Sequence, residues 1–142
     1  MIVPDVNLLL YAYNIKSPFH EQSRKWWESI ISEGKAVGIP WVVSIGFIRL
    51  ITSRSVLENP LEPQTAIKVV LDWLAQPNVQ HLEPGAKHLI LLADLLKESL
   101  TSHNLVTDAH LAAIAIEYSA ELHSNDSDFG RFSGLKWINP IK

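Results

Sequence analysis

Short apolar runs ending in a polar residue alternate with longer stretches of helical periodicity, and this alternation constrains the fold more than any other property of the chain. Ile2-Val3-Pro4 leads into Asp5, then into Val6 and Leu8-Leu9-Leu10-Tyr11, the pattern of a buried strand, a polar residue and a helix. Residues 18–33 carry Trp26, Trp27, Ile30 and Ile31 and stop at Gly34, as a helix with a glycine terminator does. Residues 36–40 read as a second strand. From Ser44 onward Phe47, Ile48 and Ile51 share one helical face, which leaves Arg49 off it. Asn59-Pro60 and Pro63 mark a loop, after which Ala66, Val69, Val70, Trp73 and Leu74 repeat the helical template.

Residues 79–82 predict a third strand, and Leu89, Leu92, Ala93, Leu96 and Leu100 a further helix. Residues 107–118 are apolar nearly all round and rich in small side chains, as expected of a helix packed closely in a core, with Thr107 as its N-cap. Glu121-Leu122-His123 reads as a strand ending at Ser124-Asn125-Asp126, and residues 135–138 as the last strand. Strands alternating with helices indicate an α/β fold whose mainly parallel sheet is covered on both faces. Functional groups in such sheets collect beyond the carboxyl ends of the strands. Asp5 and Asp126 fall there, and Asp108 opens the late core helix.

With 142 residues and 47% apolar content, residues 1–142 are expected to form a single domain around one core. The opening residues lack the basic and apolar regions of a secretion signal, and no stretch approaches the roughly 18 apolar residues of a membrane span. The chain therefore reads as soluble and cytoplasmic. It has no cysteine, so any bound metal must be held by oxygen or imidazole. A formal charge of −3 argues against nucleic-acid binding driven by bulk charge, although Arg24, Lys25, Arg49 and Arg54 offer a local basic surface.

Several carboxylates gathered at one place raise one another's pKa unless a cation neutralises them. A meeting of Asp5, Asp108 and Asp126 would suit a hard cation such as magnesium or manganese. Such a cation polarises a phosphate and activates water, which phosphodiester hydrolysis requires. Each acid also has a plainer role: Asp5 as a helix cap, Asp108 as a favourable charge on a helix dipole, Asp126 and Asp128 as members of an Asx turn.

Whole segments carry a resemblance that single acids do not. Val3-Pro-Asp5-Val-Asn7-Leu-Leu-Leu-Tyr11, Thr107-Asp108-Ala-His-Leu-Ala-Ala113 and His123-Ser-Asn-Asp126-Ser-Asp128-Phe129 resemble PIN-domain blocks in their usual order. The tail Phe129-Gly-Arg-Phe132-Ser-Gly-Leu-Lys-Trp137-Ile-Asn-Pro140 is similar to the ending of VapC-type toxins of toxin–antitoxin pairs. The resemblance spans essentially the whole chain. It implies a three-layer α/β/α sandwich and an endoribonuclease dependent on Mg2+ or Mn2+, with RNA as substrate, a VapB-like antitoxin as partner and a homodimeric state.

By the same resemblance Asp5, Asp108 and Asp126 are metal ligands and catalytic groups. Asp128 matches an additional acid near the metal, and Asn7 and Ser124 match polar supports. Where PIN domains commonly carry a glutamate, Ser44-Ile-Gly46-Phe-Ile-Arg49 has Gly46. This departure leaves open fewer carboxylate ligands, a weaker second metal, or replacement by Asp128. It also motivates an alternative, a PIN-fold module that binds RNA or protein without catalysis.

Arg49 suits either a substrate phosphate or one of the acids. His110 and His123 are expected to be packed or hydrogen-bonded rather than ligands, and the tryptophans to serve core and interface, with Trp41 and Trp137 near an RNA- or antitoxin-facing surface. An aspartyl-phosphate phosphatase with Asp5 as nucleophile also begins with an acid after the first strand. That class usually has a second Asp two residues on, where this chain has Asn7.

Overall fold

Ile2–Pro4, buried throughout, forms β1, and Asp5 ends it by capping helix α1 (Val6–Tyr13) with its own carboxylate. The computed structural model describes residues 1–98 and 105–142. Helix α2 (His20–Ser32) turns Ser23, Trp27 and Ile30 inward, and Gly34 follows it in the left-handed region (φ 68°) that glycine tolerates best. Strand β2 (Val37–Pro40) runs straight into α3 (Trp41–Ile51), three residues earlier than the periodicity from Ser44 placed it. Pro63 opens α4 (Pro63–Leu74) at its first position instead of belonging to the loop, since a missing N–H costs nothing there.

Strand β3 (Val79–Leu82) leads to α5 (His88–Glu98). The inward face of α5 differs from the expected one: His88 and Leu95 are buried, whereas Leu89 is 75% exposed. Leu100, assigned to the same helix from sequence, lies outside the described residues. Helix α6 (Val106–Glu117) starts after Leu105 without a side-chain cap, so Thr107 sits inside its first turn and is not the N-cap. Its residues Ala109 and Leu111 to Ala115 are buried, as an all-round apolar helix requires. Strand β4 (Glu121–His123), a 3-10 helix (Ser127–Arg131) and β5 (Lys136–Ile138) complete the chain.

All strand pairs are parallel, in the order β3-β2-β1-β4-β5. The winding runs outward from β1 through β2 to β3 and then returns to the other side of β1. With right-handed crossovers, α1 to α4 cover one face and α5 and α6 the other, giving three layers. Trp27, Phe47 and Trp73 pack edge to face in the first helical layer, with ring centroids 5.7 Å (Trp27–Trp73) and 4.7 Å (Phe47–Trp73) apart. The reversal of winding falls between β1 and β4, where Pro4 lies beside His123. That is where an open parallel sheet leaves a crevice at its carboxyl edge. No described helix is long and apolar enough to cross a membrane.

Candidate active site

The crevice is built from the first polar residues beyond β1 and β4. Asp5 follows β1 directly; its backbone N–H donates to the His123 carbonyl at 2.8 Å, continuing the sheet one residue past the strand. One Asp5 oxygen accepts the Val6 N–H at 2.7 Å, and the other accepts the Ser124 hydroxyl at 2.6 Å. Ser124 is fully buried, and its Oγ also accepts the Asp126 N–H at 3.0 Å. This one hydroxyl therefore ties the ends of two neighbouring strands together. Asn7 approaches it through Nδ2 at 3.4 Å, while Asn7 Oδ1 is buried with no protein partner among the described residues.

Asp126 caps the 3-10 helix, accepting the Asp128 N–H at 2.9 Å. Asp128 Oδ1 in turn accepts from the Arg131 guanidinium at 3.2 Å, a half-exposed pair of small energetic weight. Asp108 arrives from the opposite layer on the first turn of α6. Asp108, Asp126 and Asp128 each bring a carboxylate oxygen to within 4.8 Å of the other two. Asp5 borders this group without joining its tightest set, close enough for its charge to raise the Asp108 pKa. The plainer readings hold for Asp5 as the α1 cap and for Asp126 as the acceptor of the Asp128 N–H in an Asx turn, and these bonds fix their carboxylates in place.

The electrostatics are those of crowded acids. Burial raises the Asp108 pKa to about 6, with the charges of Asp126, Asp5 and Asp128 adding to the rise and Arg131 opposing it. Burial also lifts Asp5 above the usual carboxylate range, although the Ser124 hydroxyl and the Val6 N–H pull it down. Carboxylates so placed are destabilised when ionised together, and a hard divalent cation relieves them. The donor set is all oxygen, and the orphaned Asn7 Oδ1 is an acceptor suited to water on such an ion. The residues present fit magnesium or manganese.

Arg49 is exposed at the mouth of the crevice and makes no ion pair among the described residues, so it does not neutralise the acids. Arg24 is engaged with Glu21 and Glu28 on α2, which removes it from any free basic surface. His110 and His123 are hydrogen-bonded, as expected. His123 Nδ1 accepts the Trp26 indole N–H at 3.0 Å, and its other nitrogen faces Glu121 at 3.2 Å. His110 Nδ1 meets His88 Nε2 at 2.8 Å, and His88 Nδ1 meets Glu117 at 2.8 Å.

Trp137 donates to the Ser124 carbonyl at 3.0 Å, bracing the turn that holds Asp126. Its position in the middle of β5 carries no sign of that contact in the sequence. Trp41 is 54% exposed at the start of α3.

Comparison with known proteins defines the family and the fold. Residues 2–135 match the PIN domain family model, and the chain belongs to the PIN-domain family. Ribonuclease VapC33 of Mycobacterium tuberculosis is 44% identical over 142 residues, covering 100% of this chain and 99% of that protein. Among solved structures, VapBC2 from Rickettsia felis bound to a promoter DNA fragment superposes with a TM-score of 0.70 at 19% identity, covering 98% of each chain. VapC20 of Mycobacterium tuberculosis, described as a sarcin-ricin loop cleaving toxin, superposes with a TM-score of 0.68 at 16% identity, covering 96% of this chain and 99% of that one. At those identities the two structures establish the fold.

Proposed function

We propose that this chain is a divalent-metal-dependent endoribonuclease, the toxin of a type II toxin–antitoxin pair. The observation that carries this reading is the meeting of Asp108, Asp126 and Asp128 at the point where the sheet reverses its winding, with Asp5 beside them. The naming of full-length relatives as ribonucleases supports the reaction class.

Asp5, Asp108, Asp126 and Asp128 are the catalytic and metal-holding groups, and the ion they suit is Mg2+ or Mn2+. When bound, such an ion polarises the scissile phosphate and makes a water acidic enough to attack it. The chain's own residues set the geometry. Ser124 holds the Asp5 carboxylate and the Asp126 backbone in one network, Asn7 Oδ1 offers an acceptor to an ordered water, and Arg49 presents its planar fork to phosphate oxygens from the rim.

Gly46 removes one acid common in the family but leaves these four beside one another, so the non-catalytic alternative has no geometric support. Asp5, with both oxygens hydrogen-bonded and the Ser124 hydroxyl held against one of them, is poorly disposed to act as a phosphoryl acceptor. Exposed apolar residues on α3 (Trp41, Ile45) and α5 (Leu89, Ile90) suit a homodimer and contact with a VapB-like antitoxin in the cytoplasm.

Incubation of the purified chain with a folded RNA in Mg2+ or Mn2+ tests the proposal. Internal cuts are expected that disappear with chelator and in Asp108→Asn of unchanged circular dichroism. RNA left intact by the wild-type chain in both metals would overturn it.

A further inference from the structure

Gly46 lies inside α3, where glycine costs about 0.5–1 kcal/mol relative to alanine. Packing does not demand it. A Cβ built at Gly46 meets only Val6, at 3.6 Å and 3.9 Å, which is ordinary contact, and its φ is not in the left-handed region. Gly46 lines a recess of about 140 Å3 that also takes in Asp5 and Asp108. Its walls are Val6, Val42, Val43 and Leu111. Asp5, Asp108, Arg49 and Thr107 are its polar lining groups.

The size and the lining select the occupant. Sites for whole small molecules run from roughly 300 to 1,000 Å3, so this recess takes one ring system and not a complete nucleotide. Aliphatic walls suit the flat faces of a nucleobase, whereas a ribose, hydroxylated around its rim, would leave its polar groups unpaired against them. The Thr107 hydroxyl is a donor for the base edge, which leaves the Arg49 guanidinium to the phosphate. Sequence-specific recognition of single-stranded RNA splays bases out and hydrogen-bonds their edges. A chain of net charge −3 also needs a source of RNA affinity other than bulk attraction.

We propose that the recess at Gly46 is a base-binding subsite, holding one nucleobase of single-stranded RNA next to the phosphodiester bond being cut, and that Gly46 is a specificity-determining residue. The inference rests on the ribonuclease reading for the identity of the ligand. Gly46→Leu fills the recess from α3, and Val42→Phe fills it from a second position on the same helix.

The test has two arms. In chelator, the four free nucleosides are titrated at millimolar concentration against the methyl NMR signals of the full chain. Saturable shifts of Val42, Val43 and Leu111 are expected with at least one nucleoside, with binding read at Val43 and Leu111 weakened tenfold or more in Gly46→Leu and Val42→Phe. In Mn2+, the cut sites of a random-sequence RNA are mapped, and a base preference beside the cut is expected that both variants flatten while still binding Mn2+.

Shifts absent from these methyls, or unchanged in both variants, overturn the subsite, as does RNA cutting with no base preference by the wild-type chain. Nucleoside binding at the recess without any RNA cutting supports the subsite and overturns the ribonuclease reading instead.

Discussion

The hydroxyl of Ser124 donates to the Asp5 carboxylate at 2.6 Å, joining residues 119 positions apart in the chain across the β1–β4 boundary. The same oxygen accepts the Asp126 N–H at 3.0 Å. Two of the four acids therefore depend on one buried side chain that is not itself a ligand candidate.

Ser124→Ala leaves a buried Asp5 oxygen and the Asp126 N–H each short of a partner, a loss of about 1–3 kcal/mol. Thermal unfolding in chelator is expected to show that loss. Because the Ser124 hydroxyl lowers the Asp5 pKa, the acid limb of the pH–rate profile is expected to move to higher pH in the variant. An unmoved limb with lowered stability would reduce Ser124 to a structural role.

Asp108 makes the metal-free protein pH-dependent in a defined direction. Its folded pKa, about 6, lies above the ordinary 3.8, so between those values the folded state holds a proton that the unfolded state has released. The stabilising contribution is complete below about pH 3.8 and lost as pH rises through about 6. Asp108→Asn avoids that loss. Since the group is part-exposed, water screening reduces the effect to about 1 kcal/mol at pH 7, a rise of roughly 3–5 °C in Tm. Calorimetry in chelator at pH 4 and pH 7 checks this: the variant is expected to gain over the wild-type chain at pH 7 only.

Leu89 and Ile90 stand 75% and 67% exposed on α5, and Trp41 and Ile45 54% and 56% on α3. If these surfaces pair in a homodimer, Ile90→Asp is expected to shift sedimentation from dimer to monomer at micromolar concentration with unchanged circular dichroism. A wild-type chain that sediments as a monomer would remove the dimer from the proposed function.

Much of this was legible in the sequence because the strands are short, apolar and followed at once by polar residues. Asp5, Asp108 and Asp126 were placed at strand ends or a helix start by that pattern, and the sheet positions followed. The start of α3 was not legible, since Trp41-Val42-Val43 continues the apolar run of β2 with no polar residue to mark the change. The buried face of α5 is hidden for a related reason: Leu89, Ile90, Leu91 and Leu92 are all apolar, so periodicity has no contrast to report. The bracing of the site by Trp137 and the double hydrogen bond of Ser124 come from long-range proximity, which residue spacing does not encode. Asp128 illustrates the opposite case, where likeness to a family pointed to an acid whose own turn composition was uninformative.

Manganese titration followed by the signal of the free ion tests most directly whether the acids converge on one metal. The wild-type chain is expected to bind Mn2+ at pH 7, with Asp126→Asn and Asp108→Asn each weakened by an order of magnitude or more, since losing a charged oxygen ligand costs at least about 1.4 kcal/mol. Equal affinity in the wild-type chain and both variants, or no binding by any of them, would contradict a metal centre at this crevice.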